Sequence, residues 1–72
     1  MSRLVIKDAA LLKVLTKYYN FRALRQRGSH IFLTDGKHYT TIPYHNRELG
    51  QGILNKILSD CELTKEEVIK YL

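Results

Sequence analysis

The run Gln26-Arg27-Gly28-Ser29-His30 sets a guanidinium, a glycine, a hydroxyl and an imidazole side by side. Glycine lets the backbone come close to a ligand. Arginine offers a planar fork of donors, and histidine a group that titrates near neutrality. Such a set can hold an anion and move a proton. Spacing alone gives the run little specificity, and a lone histidine is more often a solvated or hydrogen-bonded bystander than a catalyst.

Two more histidines and several aromatic residues need the same weighing. His38 follows the Asp35-Gly36 turn and points toward the core side of the sheet, which suits a satisfied, half-buried ring. His45 lies in the loop after Pro43-Tyr44. Loops held by a rigid scaffold often carry function, so His45 stands as a binding or catalytic candidate beside the plainer role of a loop contact. Phe32 and Tyr39 fall on the face away from the helices. They can stack bases, meet a protein partner, or stabilise the sheet as a cross-strand pair. Tyr18, Tyr19 and Tyr44 read as packing residues. Cys61 reads as a small apolar residue, because no nearby charge pattern predicts an activated thiolate.

The elements that must position these groups are legible from periodicity. Asp8 is placed to cap a first helix, in which Leu11, Leu12, Leu15 and Tyr18 or Tyr19 recur at helical spacing. Asn20 suits the left-handed residue that closes such a helix. Strands are expected over residues 21–26, 31–33 and 39–42, with Gly28-Ser29 and Asp35-Gly36 as turns and Pro43 as a stop. Leu49, Ile53, Leu54, Ile57 and Leu58 predict a second helix, and Thr64-Lys65-Glu66-Glu67 fits a capping box opening a short third one. The fold class is therefore α+β, in the order α-β-β-β-α plus a C-terminal helix, with a three-stranded antiparallel sheet and helices on one face. A two-residue Asp35-Gly36 turn pairs Thr34 with Lys37, Leu33 with His38, Phe32 with Tyr39, Ile31 with Thr40 and His30 with Thr41. Ile31, Leu33, Thr40 and Ile42 then face the helices, while His30, Phe32, Tyr39 and Thr41 face away.

Seventy-two residues make one domain, 1–72, with residues 1–7 a candidate flexible arm. A chain this short buries only about 60% of its unfolded surface. Its single cysteine excludes an intrachain disulfide, and no Cys/His spacing suits zinc, so packing alone must hold the fold. That points to a reducing cytoplasm. No apolar run is long enough to span a membrane, and the first six residues are too short for a signal-peptide core. The net charge is +5 and is clustered: Lys13, Lys17, Arg22, Arg25, Arg27 and Lys37 face a single acid, Asp35, in that stretch. Asp60, Glu62, Glu66 and Glu67 make the C-terminal end acidic. A clustered basic footprint favours a nucleic-acid partner over a charge serving solubility alone.

Four blocks, in order, resemble the HicA (YcfA-like) family of toxin–antitoxin ribonucleases. They are Phe21-Arg22-Ala23-Leu24-Arg25-Gln26-Arg27-Gly28-Ser29-His30, Thr40-Thr41-Ile42-Pro43-Tyr44-His45, the Glu48-Leu49 stretch through Gly52-Ile53-Leu54, and Leu63-Thr64-Lys65-Glu66-Glu67. Together they cover roughly residues 8–72. The sequence departs from the family pattern at Asn20, where a glycine is usual, at Ile31, where many members carry a second histidine, and at Ile53, where threonine is common. The resemblance implies a fold like that of double-stranded-RNA-binding domains and metal-independent cleavage of mRNA, with no cofactor. It implies that His30 is catalytic and that a HicB-type antitoxin covers the site. With the charge pattern, it marks Arg25, Arg27, Gly28, Ser29, Lys37 and His45 as RNA contacts.

The chemistry expected is transesterification, with His30 suited to one of the two proton transfers. Arg27, Lys37 and His45 remain open as the phosphorane-stabilising group or the second acid–base. Two other readings stand beside it: a non-catalytic RNA-binding module of the same fold, and an adaptor whose basic face meets an acidic protein.

Overall fold

A computed structural model describes residues 3–72. Helix α1 (Asp8–Tyr18) leads into strands β1 (Arg22–Arg27), β2 (His30–Thr34) and β3 (Tyr39–Pro43), followed by helices α2 (Gln51–Cys61) and α3 (Lys65–Ile69). The three strands form an antiparallel meander in the order β1-β2-β3. One face of this sheet carries the helices, and the α+β architecture expected from the sequence is the one observed.

The core sits between the sheet and the helices. Leu11, Val14 and Leu15 of α1 meet Ile31, Leu33 and Ile42 of the sheet and Leu54, Ile57, Leu58 and Cys61 of α2. Asn20 closes α1 in the left-handed conformation expected of it, at φ 61, and the Phe21 N–H turns back to the Leu15 carbonyl at 3.1 Å. The α3 capping box is complete, with Thr64 Oγ1 accepting from the Glu67 N–H and Glu67 Oε1 accepting from the Thr64 N–H. Ile53, expected on the buried face of α2, is 45% exposed.

Residues 4–7 are part of the folded body, which corrects the flexible-arm expectation for that segment. Leu4 and Ile6 are buried in the core. The Ile6 carbonyl accepts from the Leu49 N–H at 2.9 Å, the Leu4 carbonyl accepts from Gln51 Nε2 at 2.7 Å, and the Lys7 backbone pairs antiparallel with that of Glu48. Burial alternates from Leu4 to Lys7, with Leu4 and Ile6 inside and Val5 and Lys7 outside, the period of an extended segment with one buried side. Residues 1 and 2 of that expected arm lie outside the described residues.

The β2–β3 register also differs from expectation. Thr34 pairs with Tyr39, Leu33 with Thr40, Phe32 with Thr41, Ile31 with Ile42 and His30 with Pro43. The connection spans Asp35 to His38 instead of two residues. Asp35 Oδ1 accepts from the Lys37 and His38 N–H groups at 2.9 and 2.6 Å, and Thr34 Oγ1 donates to the His38 carbonyl at 2.8 Å. These short polar side chains satisfy a wider loop, so the two-residue turn loses. The slip is two residues, an even number. Each side chain therefore keeps its expected face, although Phe32 and Tyr39 are not directly opposite.

Candidate functional site

The outer face of the sheet is built by β1 and β2 around the Gly28-Ser29 turn. Arg27 pairs with His30 across that turn. Gly28 has φ +57, a conformation in which a side chain is strained, and it stands first of the two turn residues. The Gln26 side-chain amide donates to the Gly28 carbonyl at 3.1 Å and braces the turn. His30 is exposed, with Arg27 beside it on the same face.

Further along, β1 carries a bulge between Ala23 and Arg25. Two residues there oppose one on β2, and Arg25 comes to pair with Phe32. The Arg25 guanidinium carbon lies 5.0 Å from the centre of the Phe32 ring, a cation–π contact. Tyr39 is 67% exposed. Leu24, Arg25, Phe32, Leu33, Tyr39, Thr40 and Thr41 of the sheet and Lys56 and Asp60 of α2 line an open cleft of about 550 Å³, and Leu33, Thr40 and α2 put it on the helix side of the sheet. Lys56 was not singled out in the sequence; its place on a helical face carries no sign that it reaches this cleft.

The loop between β3 and α2 is pinned beside the turn. The Tyr44 N–H donates to the Ser29 carbonyl, which brings His45 to the vicinity of the Gly28-Ser29 turn with an exposed side chain. The pin on the other side is Asp8. Expected to cap α1, it is instead the first helical residue and fully buried. Asp8 Oδ1 accepts from the Ala9 N–H at 2.7 Å, while Oδ2 accepts from the His45 N–H at 2.7 Å and, more loosely, from Arg47 at 3.4 Å. Burial pushes its carboxyl pKa up, but the backbone N–H groups of His45, Arg47, Ala9 and Asn46 together outweigh this and hold it below its ordinary value. Sequence reasoning missed this role, because nothing local links position 8 to a loop 37 residues away.

The remaining candidates separate. Lys37 sits at the far hairpin, the length of β2 from His30, or about 13 Å. Burial pushes the Cys61 thiol up to about 12, aided by Asp60 and Asp35, so it is inert at neutral pH. His38 is the half-buried, satisfied histidine expected. Its Nδ1 donates to Asp35 Oδ2 at 2.9 Å, and Nε2 lies 3.4 Å from Glu62 Oε1 at the end of α2. The hydrogen bond to Asp35 raises the His38 pKa, and the same bond lowers that of Asp35.

That clasp gives a pH dependence with a definite sign. A raised histidine stabilises the fold fully below its ordinary value of 6.5, and the contribution is lost as pH rises through the higher folded value. A depressed aspartate contributes fully above 3.8 and is lost as pH falls through the lower folded value. The clasp is therefore expected to contribute most between about pH 4 and 6.5. Thermal unfolding of wild type and His38→Gln from pH 4 to 9 checks this: the gap in Tm between them should narrow above pH 7, and a constant gap would contradict it.

Comparison with known families settles what kind of chain carries this face. The model of the HicA toxin of bacterial toxin–antitoxin systems matches residues 9–63, well over half of the sequence. The chain belongs to the HicA toxin family. No curated protein matches it. As a HicA-family member it is a toxin of a toxin–antitoxin system, and the family implies an antitoxin partner. Members are generally ribonuclease toxins. The matched span contains β1, the Gly28-Ser29 turn, His30, the hairpin, the His45 loop and α2 of this HicA chain. Among the described residues no helix is long and apolar enough to cross a membrane. No group of three or more His, Cys, Asp or Glu side chains gathers there as a metal site.

Proposed function

We propose that this HicA-family toxin is an endoribonuclease that cleaves mRNA by transesterification, with His30 as the catalytic histidine. The observation that carries the proposal is the exposed imidazole of His30, on a residue that pairs through the backbone with Arg27 across a tight turn and so shares its face of the sheet. A base removes the proton from a ribose 2′-OH, and that oxygen attacks the adjacent phosphorus. The P–O5′ bond breaks, and an acid gives a proton to the departing 5′-oxygen. The products are a 2′,3′-cyclic phosphate and a 5′-hydroxyl, and no metal enters the balance.

His30 performs one of the two proton transfers. Arg27, on the same face, is the best-placed cation to stabilise charge on the phosphorane, and a positioned donor of this kind is worth several kcal/mol, roughly 3 to 4, in related oxyanion sites. His45 is the group with access to the other transfer, since its loop is tied to the Ser29 carbonyl through Tyr44. Gly28 and Ser29 let the RNA backbone approach, and Arg25 extends the cationic face. Lys37, at the other end of β2, serves as a distal phosphate contact. A HicB-type antitoxin in the cytoplasm would silence the toxin by covering this face.

The test is incubation of the purified chain with RNA and excess chelator, followed by end-group analysis. Cyclic-phosphate ends are expected, with no cleavage where the scissile ribose is 2′-deoxy. Binding without cleavage would favour the alternative, a non-catalytic RNA-binding module of the same fold.

A further inference from the structure

We infer that the groove between α1 and residues 70–72 is a docking site for an acidic protein segment that inserts one apolar side chain. The groove belongs to the helix layer, so a partner seated there leaves the His30 face of the sheet uncovered. The inference is therefore independent of the RNA reading.

Helical spacing builds one wall. Ala10, Lys13, Val14, Lys17 and Tyr18 recur at intervals of three and four and share one stripe of α1. Tyr71 and Leu72 make the other wall, and the hollow between them is about 260 Å³. Its rings are held in place. Tyr18 and Tyr71 stack with centroids 4.0 Å apart and planes 9° apart, and Tyr19 meets Tyr71 edge-on at 5.8 Å. Tyr19 is itself anchored, its hydroxyl donating to the Glu67 carbonyl at 2.6 Å. Rings fixed in this way need little further ordering when a partner arrives. Tyr18, Tyr71 and Leu72 are all exposed. Single exposed apolar residues are ordinary, but three around one hollow mark an interaction surface.

Size and charge choose the occupant. The hollow is smaller than the roughly 300–1,000 Å³ of small-ligand sites, and it suits one large side chain of a protein anchor. Lysines surround it. Lys13 and Lys17 line the hollow, Lys17 Nζ lies 5.4 Å from the centre of the Tyr18 ring, and Lys70 Nζ lies 5.3 Å from that of Tyr71. Among the described residues none of these three lysines forms an ion pair. An apolar floor ringed by unpaired cations is complementary to an apolar residue flanked by aspartate or glutamate. A sugar–phosphate chain would meet the lysines and leave the floor uncovered. The basic cluster legible in the sequence is in fact divided by the fold: Lys13 and Lys17 stand on α1, while Arg22, Arg25 and Arg27 stand on β1. One wall of the groove also lies beyond residues 9–63, the span that the family model matches.

The test pans a random peptide display library against the immobilised full-length chain, with Tyr71→Ala protein as a parallel target. Enriched peptides should carry an apolar residue flanked by Asp or Glu, and they should be missing from the Tyr71→Ala selection. A labelled copy of the enriched peptide, followed by fluorescence anisotropy, should bind Tyr71→Ala about 5- to 30-fold less tightly, the effect of losing one wall of an anchor pocket. Lys13→Glu combined with Lys17→Glu changes two exposed residues that have no ion pair to lose. It should weaken the peptide roughly tenfold at low salt and less at high salt. This double variant serves as the parallel target if Tyr71→Ala lowers the thermal melt. A selection that enriches nothing overturns the inference, as do peptides without acids or a peptide that binds both variants like wild type. If Tyr71→Ala weakens RNA binding as much as peptide binding, the groove belongs to RNA and the inference fails. It fails equally if wild type sediments as a dimer that Tyr71→Ala dissociates, because the occupant is then a second copy.

Discussion

His30→Ala is expected to abolish RNA cleavage and toxicity while leaving the fold as it is. General acid–base catalysis by one positioned group is worth about 10²–10⁴ in rate, and removal of the imidazole should cost at least that. The structural side is favourable for a clean experiment. His30 opens β2 with an exposed ring, and its pairing with Arg27 and Pro43 is made by backbone. Exposed substitutions of this kind shift stability by about 0.5 kcal/mol or less. The measurement is a cleavage time course beside a thermal melt of the same preparation. A variant that keeps its melt and retains a tenth of wild-type cleavage would remove His30 from the mechanism, and one that loses its melt would show the ring to be structural.

Strand β1 shows why the site is where it is. All of Arg22–Arg27 is exposed, including the positions that face the helices' side, because the helices cover little of this edge. A strand with no buried residue adds almost nothing to the core and is held by pairing with β2. Its three arginines discourage edge-to-edge association with other chains, which an open strand otherwise invites. They also supply the cationic face. The same sequence feature thus protects the edge and prepares it for a polyanion, and it explains why β1 lacks the alternation that makes β2 and β3 easy to read.

What was legible in the sequence follows from how local each signal is. Helical spacing of Leu11 and Leu15, the Thr64–Glu67 box and Asn20 at the end of α1 act within a turn or two of chain, and each is found as expected. The outer and inner faces of β2 and β3 were legible for the same reason, since alternation survives a slip of two. The register itself was not, because Asp35 and Thr34 each offered the backbone a rival set of hydrogen bonds that the Asp35-Gly36 pair does not advertise. The cleft needed three strands and α2 at once. Residues 4–7 were misjudged because their partners, Glu48, Leu49 and Gln51, lie more than forty positions later.

Asp8→Ala should be the most destabilising single change outside the apolar core. The carboxylate accepts from Ala9, His45 and Arg47, and it is fully buried. Alanine leaves those N–H groups facing a void. Each stranded donor costs about 1–3 kcal/mol, and the shortest two bonds are charge-assisted, so the total is about 3–5 kcal/mol. A domain of this size has only about 4–11 kcal/mol in all. Urea unfolding should show the midpoint falling by a third or more, and a loss under about 1 kcal/mol would show that water or the loop itself replaces the carboxylate. Acid provides an independent check. Because the folded Asp8 carboxyl titrates below its ordinary 3.8, its contribution is full above that value and disappears as pH falls through the lower one. Asp8→Asn should therefore weaken the acid limb of the stability curve, leaving the part due to Asp35. It should also slow cleavage at temperatures where the variant is folded. The His45 N–H would then lose its carboxylate partner, leaving the loop held by the backbone bonds from the Asp8 N–H to the Arg47 carbonyl and from the Tyr44 N–H to the Ser29 carbonyl, and a proton donor or acceptor that wanders by an ångström loses much of its effect.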